Sequence, residues 1–319
     1  MEAPAAGNSD CRLKRLALVD LQISPAGIVT IPVAINGEAT RMALDTSEPL
    51  NAVSGGTASR LRLRRQTSQV WMFYVRSVQT REFVKLERLS IGDLSWSGLD
   101  ALVVSDSQFL EGKDPATGVA GSLGIAMFSG VDLELDFSGH RMMIYSQDHC
   151  PGAVVSWSRA YYKIAMKRQE HGNLYFPMEL DGRRVDTTLS TRDRRSVLTT
   201  DAARKGFGFD RRSAEVRHET GVHGDPDYFR PMELTSEGFD IMNARISLGT
   251  PEDAPCELVV SKDPQQSVHY VEHSGSGSCF SVPLRLGVDV LSKMHLYLAF
   301  KEQALYFTVA DDASSAVRP

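Results

Sequence analysis

Arg41-Met42-Ala43-Leu44-Asp45-Thr46-Ser47-Glu48-Pro49-Leu50 is the stretch on which the reading of this chain turns. An apolar, strand-like run ends in a carboxylate and two hydroxyls, and a proline turn follows. An ionised carboxylate beside apolar residues is costly unless it is hydrogen-bonded or has chemical work to do. Asp45 therefore needs a partner, and the rest of the chain is read for where that partner stands.

Working outward, residues 16–21 and 28–35 alternate and are rich in β-branched side chains, as strands are. Asn36-Gly37 is a hairpin turn, and residues 39–44 form the return strand that delivers Asp45. Residues 57–61 suggest one short helix, and residues 70–78, 83–91 and 99–104 are further strands. Residues 123–137 begin at a glycine-flanked turn and end in an alternating strand, which Ser138-Gly139 folds back into residues 142–145. Cys150-Pro151-Gly152 breaks the pattern. Long helical periodicity is missing, so this half reads as mainly β.

An internal repeat locates the partner position. Met178-Glu179-Leu180-Asp181-Gly182 repeats Val33-Ala34-Ile35-Asn36-Gly37 at an offset of 182 − 37 = 145. The same offset carries Leu44 onto Leu189, Thr46 onto Thr191, Val53 onto Leu198 and Asp45 onto Ser190. Later, Leu286-Gly287 repeats Leu123-Gly124 at 287 − 124 = 163, so the second copy holds an insertion, placed at residues 250–278. Two copies of one β unit predict an all-β molecule of two lobes with a cleft between them. The expected division is 12–149 for the first lobe, 150–160 for the junction, 161–310 for the second lobe and 311–319 for a flexible tail.

The 319 residues, 42% hydrophobic and 24% charged, are enough to bury a sizeable core. With 40 acids against 35 bases the net charge is −5, which argues against a general nucleic-acid footprint. No window nears 18 uninterrupted apolar residues, so no membrane-spanning helix is expected, and residues 1–7 contain no hydrophobic signal segment. The four cysteines, Cys11, Cys150, Cys256 and Cys279, have no C-x-x-C spacing. They are either buried thiols or two bridges, Cys11 with Cys150 and Cys256 with Cys279, and bridges would require an oxidising compartment. The second reading carries the expectation of a periplasmic or secreted protein; the first, a cytoplasmic one.

An apolar strand ending in Asp-Thr, a small helix after it, and a hydrophobic-Gly element followed by strand, turn and strand resemble the retropepsin and pepsin superfamily of aspartic proteases. The duplicated form, with Cys-Pro-Gly-Ala-Val-Val at residues 150–155, resembles bacterial exported retropepsin-like proteins. The resemblance covers residues 12–309. It implies two β-barrel lobes, a cleft for an extended peptide, no cofactor and no metal, and one catalytic aspartate from each lobe. Two adjacent carboxylates share a proton, one activating water while the other donates to the peptide carbonyl. Asp45 matches the first of these acids, and Thr46 and Thr191 match the threonines that brace the two active-site loops.

This chain departs from the pattern in the second lobe, where Ser190 stands in place of the second aspartate. A hydroxyl can hydrogen-bond Asp45 but cannot carry the ionisable half of a shared proton. The glycine that follows Asp-Thr in the family is Ser47 in the first lobe and Arg192 in the second, and an arginine there could reach Asp45 and hold it ionised. Two functions follow: an aspartic peptidase with a degenerate Asp45/Ser190 pair, or an inactive pseudoprotease that binds a peptide or partner protein in its cleft.

The remaining motifs carry less. Asp186 and Asp193 read as solvated charges. His269-Tyr270-Val271-Glu272-His273 fits the inverted zinc-protease pattern, but that chemistry needs a helix, and Ser274-Gly275-Ser276 follows at once. His218-Glu219-Thr220-Gly221-Val222-His223-Gly224 suggests either the tip of a flap over the cleft or a surface loop. The basic runs at residues 62–65 and 192–195 read as solvated faces. There is no G-x-S-x-G elbow and no phosphate-binding glycine loop.

Overall fold

The computed structural model describes residues 12–69, 73–75, 78–109, 119–169, 172–218, 227–236, 238–249, 256–272, 281–309 and 317–318. Two barrel-like β lobes hang from a shared six-stranded sheet. The first lobe is an eight-stranded sheet in which Val29–Ile35 pairs with Glu38–Asp45 on one side and with Glu82–Ile91 on another, curling the sheet on itself. The second lobe is built on Leu174–Leu180 and Arg183–Leu189, its counterparts of the first hairpin. Both hairpin turns place two successive residues at positive φ, Asn36 (50°) with Gly37 (91°) and Asp181 (49°) with Gly182 (75°). These are the turn residues whose twist matches that of the flanking strands.

The repeat extends to strand register. In the first lobe Gly121–Gly124 slots in parallel beside Glu38–Asp45, Leu123 opposite Leu44, and antiparallel to Ala52–Ser54, Ser122 opposite Ala52. In the second, Leu284–Leu286 slots beside Arg183–Leu189, Leu286 opposite Leu189, and antiparallel to Ser196–Thr199, Leu284 opposite Leu198. A strand buried on both faces reads as a short unbroken apolar run, and both inserted strands are wholly buried. The glycine at the end of the first and just after the second is a steric requirement. A Cβ on Gly124 would lie 2.4 Å from the Pro49 carbonyl oxygen, and one on Gly287 would lie 2.3 Å from the Arg195 carbonyl carbon.

The shared sheet runs Arg15–Asp20, Arg141–Tyr145, Asp132–Asp136, Met294–Ala299, Ala304–Val309, Tyr162–Ala165. Strands of the two halves meet at its centre, where Leu133 faces Leu298 and Leu135 faces Leu296. One face, with Leu133, Leu135, Leu296 and Leu298, joins the main core. The opposite face carries the buried acids Asp132, Glu134 and Asp136 among the apolar and aromatic side chains of Met143, Tyr145, Tyr297 and Tyr306. Each acid has a base: His149 at 2.7 Å, His295 at 2.8 Å and Arg141 at 2.8 Å respectively. Trp157 from the junction stacks on His295 at 4.0 Å and donates its indole N–H to Thr308 Oγ1 at 2.9 Å, tying the junction onto this face.

Several expectations need adjusting. The strand expected over residues 70–78 is instead a small hairpin of Phe73–Val75 and Val78–Thr80. The short helix spans Gly55–Arg60, with the Ser54 hydroxyl accepting the Thr57 N–H at its start. Within the insertion, Cys256–Val259 and His269–Glu272 form a two-stranded sheet of their own. The tail, expected to be flexible after residue 310, brings Val317 and Arg318 back to pair with Ile241 and Asp240. Cys150 is disulfide-bonded, while Cys11, Cys279 and the side chain of Cys256 lie outside the described residues. The expected pairing therefore falls on residues that are not described.

Candidate active site

The two hairpin return strands end at the lobe boundary, which brings Asp45 and Ser190 together as the repeat requires. Their neighbours form a reciprocal clasp. Thr46 Oγ1 donates to the Leu189 carbonyl at 2.7 Å and accepts the Thr191 N–H at 3.2 Å. Thr191 Oγ1 donates to the Leu44 carbonyl at 2.5 Å and accepts the Thr46 N–H at 3.1 Å. Both threonines are buried, so four backbone groups that would otherwise be orphaned are satisfied across the boundary. The bracing role implied for Thr46 and Thr191 has the geometry it needs.

Asp45 has no solvent-exposed surface. Its Oδ1 accepts the Ser47 hydroxyl at 2.8 Å and the Ser47 N–H at 3.2 Å. Ser47 Oγ in turn lies 3.2 Å from Ser190 Oγ. The Ser190 hydroxyl donates to Asp193 Oδ2 at 2.8 Å and accepts the Asp193 N–H at 3.2 Å. The same Asp193 oxygen receives the Arg285 Nε–H at 2.8 Å, in an ion pair whose side chains are 12% and 11% exposed. The result is a line of four side chains, Asp45, Ser47, Ser190 and Asp193, crossing from one lobe to the other and closed at its far end by a guanidinium.

Asp193 is thus a partly buried, hydrogen-bonded and ion-paired member of the site and not a solvated charge, which corrects its sequence reading. Asp186 is partly buried as well, and desolvation raises its carboxyl above the ordinary range against the opposing Ser267 hydrogen bond. Arg192 is 9% exposed. Its Nη2 donates to the Gln108 carbonyl at 2.6 Å and its guanidinium sits 5.0 Å from the centre of the Phe109 ring. An arginine of the second lobe therefore latches onto the first, and the run at 192–195 is not a solvated face; of its arginines only Arg194 is exposed.

The loops behind the acids are pinned identically. Ile125 N–H donates to the Glu48 carbonyl and Val288 N–H to the Asp193 carbonyl, each at 2.8 Å. Gly124 N–H donates to Asn51 Oδ1 and Gly287 N–H to Ser196 Oγ, each at 3.0 Å. Asp289 braces the second loop further, its Oδ1 accepting the Ser196 N–H at 2.9 Å and hydroxyl at 3.0 Å. Burial raises the Asp289 carboxyl above its ordinary range, and these hydrogen bonds pull it part of the way back.

Sequence reasoning took Asp193 for a solvated charge and passed over Arg285 and Asp289. The offsets could have pointed to them: they fall on Glu48, Ser122 and Ala126 of the first lobe, of which Glu48 and Ser122 are buried. Elsewhere, His269 and Glu272 lie on a strand, with His269 Nδ1 against the Ser267 carbonyl at 2.7 Å. No group of His, Cys, Asp and Glu among the described residues is arranged to hold a metal ion. His218 contacts Asp227 at 2.7 Å, and the remainder of the expected flap tip, residues 219–224, lies outside the described residues. Among the described residues no helix is long and apolar enough to cross a membrane.

With this geometry in view, residues 31–126 match the family model described as aspartyl protease. No curated protein matches the chain. Among known structures, basic 7S globulin from soybean aligns over 93% of this chain and 96% of its own at 9% identity, with a TM-score of 0.50. Conglutin gamma, a basic 7S globulin from lupine seeds, aligns over 91% and 94% at 10% identity, with a TM-score of 0.46. A retropepsin-like aspartic protease from Rickettsia conorii aligns over 42% of this chain and 96% of its own at 13% identity, with a TM-score of 0.29. The soybean likeness is one of fold across nearly the whole chain.

Proposed function

From the premise that this chain is a retropepsin-like protein whose first lobe carries an aspartyl-protease domain, we propose that it is a pseudoprotease. Its inter-lobe cleft engages an extended peptide or a partner segment without cleaving it. The observation that carries this reading is the hydroxyl pair between the lobes. Hydrolysis requires a water against the first carboxylate and a second acid facing it. The Ser47 hydroxyl donates to Asp45 Oδ1 at 2.8 Å, and where the second acid would stand Ser190 lies 3.2 Å from Ser47 Oγ with its own proton directed to Asp193. The buried Asp45 and the latch from Arg192 to Gln108 and Phe109 support the same reading.

The alternative, a weak aspartic peptidase in which Asp45 activates water and Ser190 orients it, is favoured by the family match over residues 31–126. Digestion of a peptide library at acid and neutral pH, with Asp45→Ala in parallel, separates the two. The proposed reading expects equal silence from both proteins, together with saturable binding of some library members. Cleavage by the parent that Asp45→Ala abolishes would establish the peptidase instead. That the bridge at Cys150 reflects an oxidising periplasmic or extracellular setting is a separate part of the proposal. It expects no free thiols in the denatured protein.

A further inference from the structure

The line of oxygens between the lobes has a property that follows from counting its protons. In the arrangement described, Ser47 gives its only hydroxyl proton to Asp45 and Ser190 gives its own to Asp193. The Ser47–Ser190 contact of 3.2 Å then brings together two oxygens whose protons are already committed elsewhere. One additional proton repairs this. If it sits on Asp45, Asp45 donates to Ser47, Ser47 to Ser190 and Ser190 to Asp193, and every contact in the line becomes a hydrogen bond. If it sits on Asp193, the same line runs in the opposite direction.

We propose that Asp193 is the acid the second lobe contributes to this site, and that the Ser190 and Ser47 hydroxyls relay a proton between Asp193 and Asp45. The transfer balances without another reactant. Starting from protonated Asp45, its O–H breaks as Ser47 Oγ takes the proton, Ser47 passes its own to Ser190 Oγ, and Ser190 passes its own to Asp193 Oδ2. Three O–H bonds break and three form, and one negative charge moves from Asp193 to Asp45. Charged groups near the relay include Arg285 on the inserted strand, which holds Asp193 at 2.8 Å, buried Glu48 after Asp45, Asp289 behind Ser196, and Arg192, whose Nη2 is on Gln108. Arg285 favours negative charge on Asp193. Asp193 acts on Asp45 through the two serines, so it is a positioning residue. The inference does not depend on whether peptides are cleaved.

The test is a pH titration of the full chain, carboxyl-labelled at aspartate and followed by carbon NMR, with Asp45→Asn and Asp193→Asn used only to assign the two signals. Groups coupled by more than about one pK unit titrate in two steps that both partners report. Asp45 and Asp193 are expected to share two steps in the parent and in Ser190→Thr, which keeps the hydroxyl. In Ser190→Ala each is expected to lose the shared second step. Ser47→Ala cuts the relay at its other link and is expected to do the same, which keeps the test open if one variant fails to fold. Independent single steps in the parent, or shared steps that survive both alanine variants, would overturn the proposal. Peptide binding and digestion are not read in this experiment, so its failure is distinguishable from failure of the pseudoprotease reading.

Discussion

Thr46 and Thr191 hold the two lobes by a pair of identical bonds run in opposite directions. Each hydroxyl donates to the carbonyl two residues before the other threonine and accepts the other's N–H. Thr46→Val or Thr191→Val keeps the shape but orphans a buried N–H and a buried carbonyl. A loss of about 2–6 kcal/mol per variant is expected, from roughly 1–3 kcal/mol for each of the two unsatisfied groups. Urea unfolding should show it, and the double variant should cost less than the sum, because both changes dismantle one network.

Ser190→Asp is the obvious attempt to rebuild a proteolytic pair, and the geometry argues that it fails alone. The Ser190 oxygen lies 2.8 Å from Asp193, so a carboxylate there would face Asp193 as well as Asp45. The single variant should lose about 3 kcal/mol or more and should not cleave peptides. Ser190→Asp combined with Asp193→Ser removes the clash, and any gain of acid-dependent peptidase activity is expected in that double variant, read by the same library digestion.

Under the pseudoprotease reading, a peptide entering between the lobes competes with the contacts of Arg192 on Gln108 and Phe109. Arg192→Ala removes an exchange of contacts worth about 1.4 kcal/mol, which corresponds to about a tenfold tighter peptide dissociation constant. Fluorescence anisotropy with a library-selected peptide measures it; unchanged or weaker binding would show that Arg192 does not compete with the ligand.

Asp289 gives a pH prediction with a definite sign. Burial raises its folded-state carboxyl, so the folded protein keeps a proton there that the unfolded chain has already released. Its contribution to stability is full below the ordinary carboxyl range near 4 and is lost as pH rises through the raised value. Asp289→Asn retains an oxygen that can accept both Ser196 bonds. The variant should match the parent at low pH and become the more stable of the two above that window, as equilibrium unfolding from pH 4 to 8 would show.

The frame of this molecule could be read because its repeat rests on backbone requirements. Asn36-Gly37 and Asp181-Gly182 mark the same turn, and Gly124 and Gly287 mark the same close approach, so two offsets sufficed to bring Asp45 and Ser190 together. The connections of the site were harder to read. Asp193 looked solvated because its neighbours in sequence are arginines, whereas its surroundings are set by Arg285, on a strand 92 positions later. Arg192 donates to the Gln108 carbonyl and sits over Phe109, two contacts in the other lobe that its own sequence neighbourhood does not announce. Side chains whose partners come from remote strands leave no local pattern, and only mapping each charge through the repeat would have exposed them.

The shared six-stranded sheet makes duplication in this chain irreversible in practice. Its middle pair joins Asp132–Asp136 of the first half to Met294–Ala299 of the second, so severing the chain at the junction would leave each half with an unpaired inner edge. Exposed edges of that kind recruit other chains. Each half therefore covers the edge that the other would otherwise expose, so neither is a finished sheet by itself.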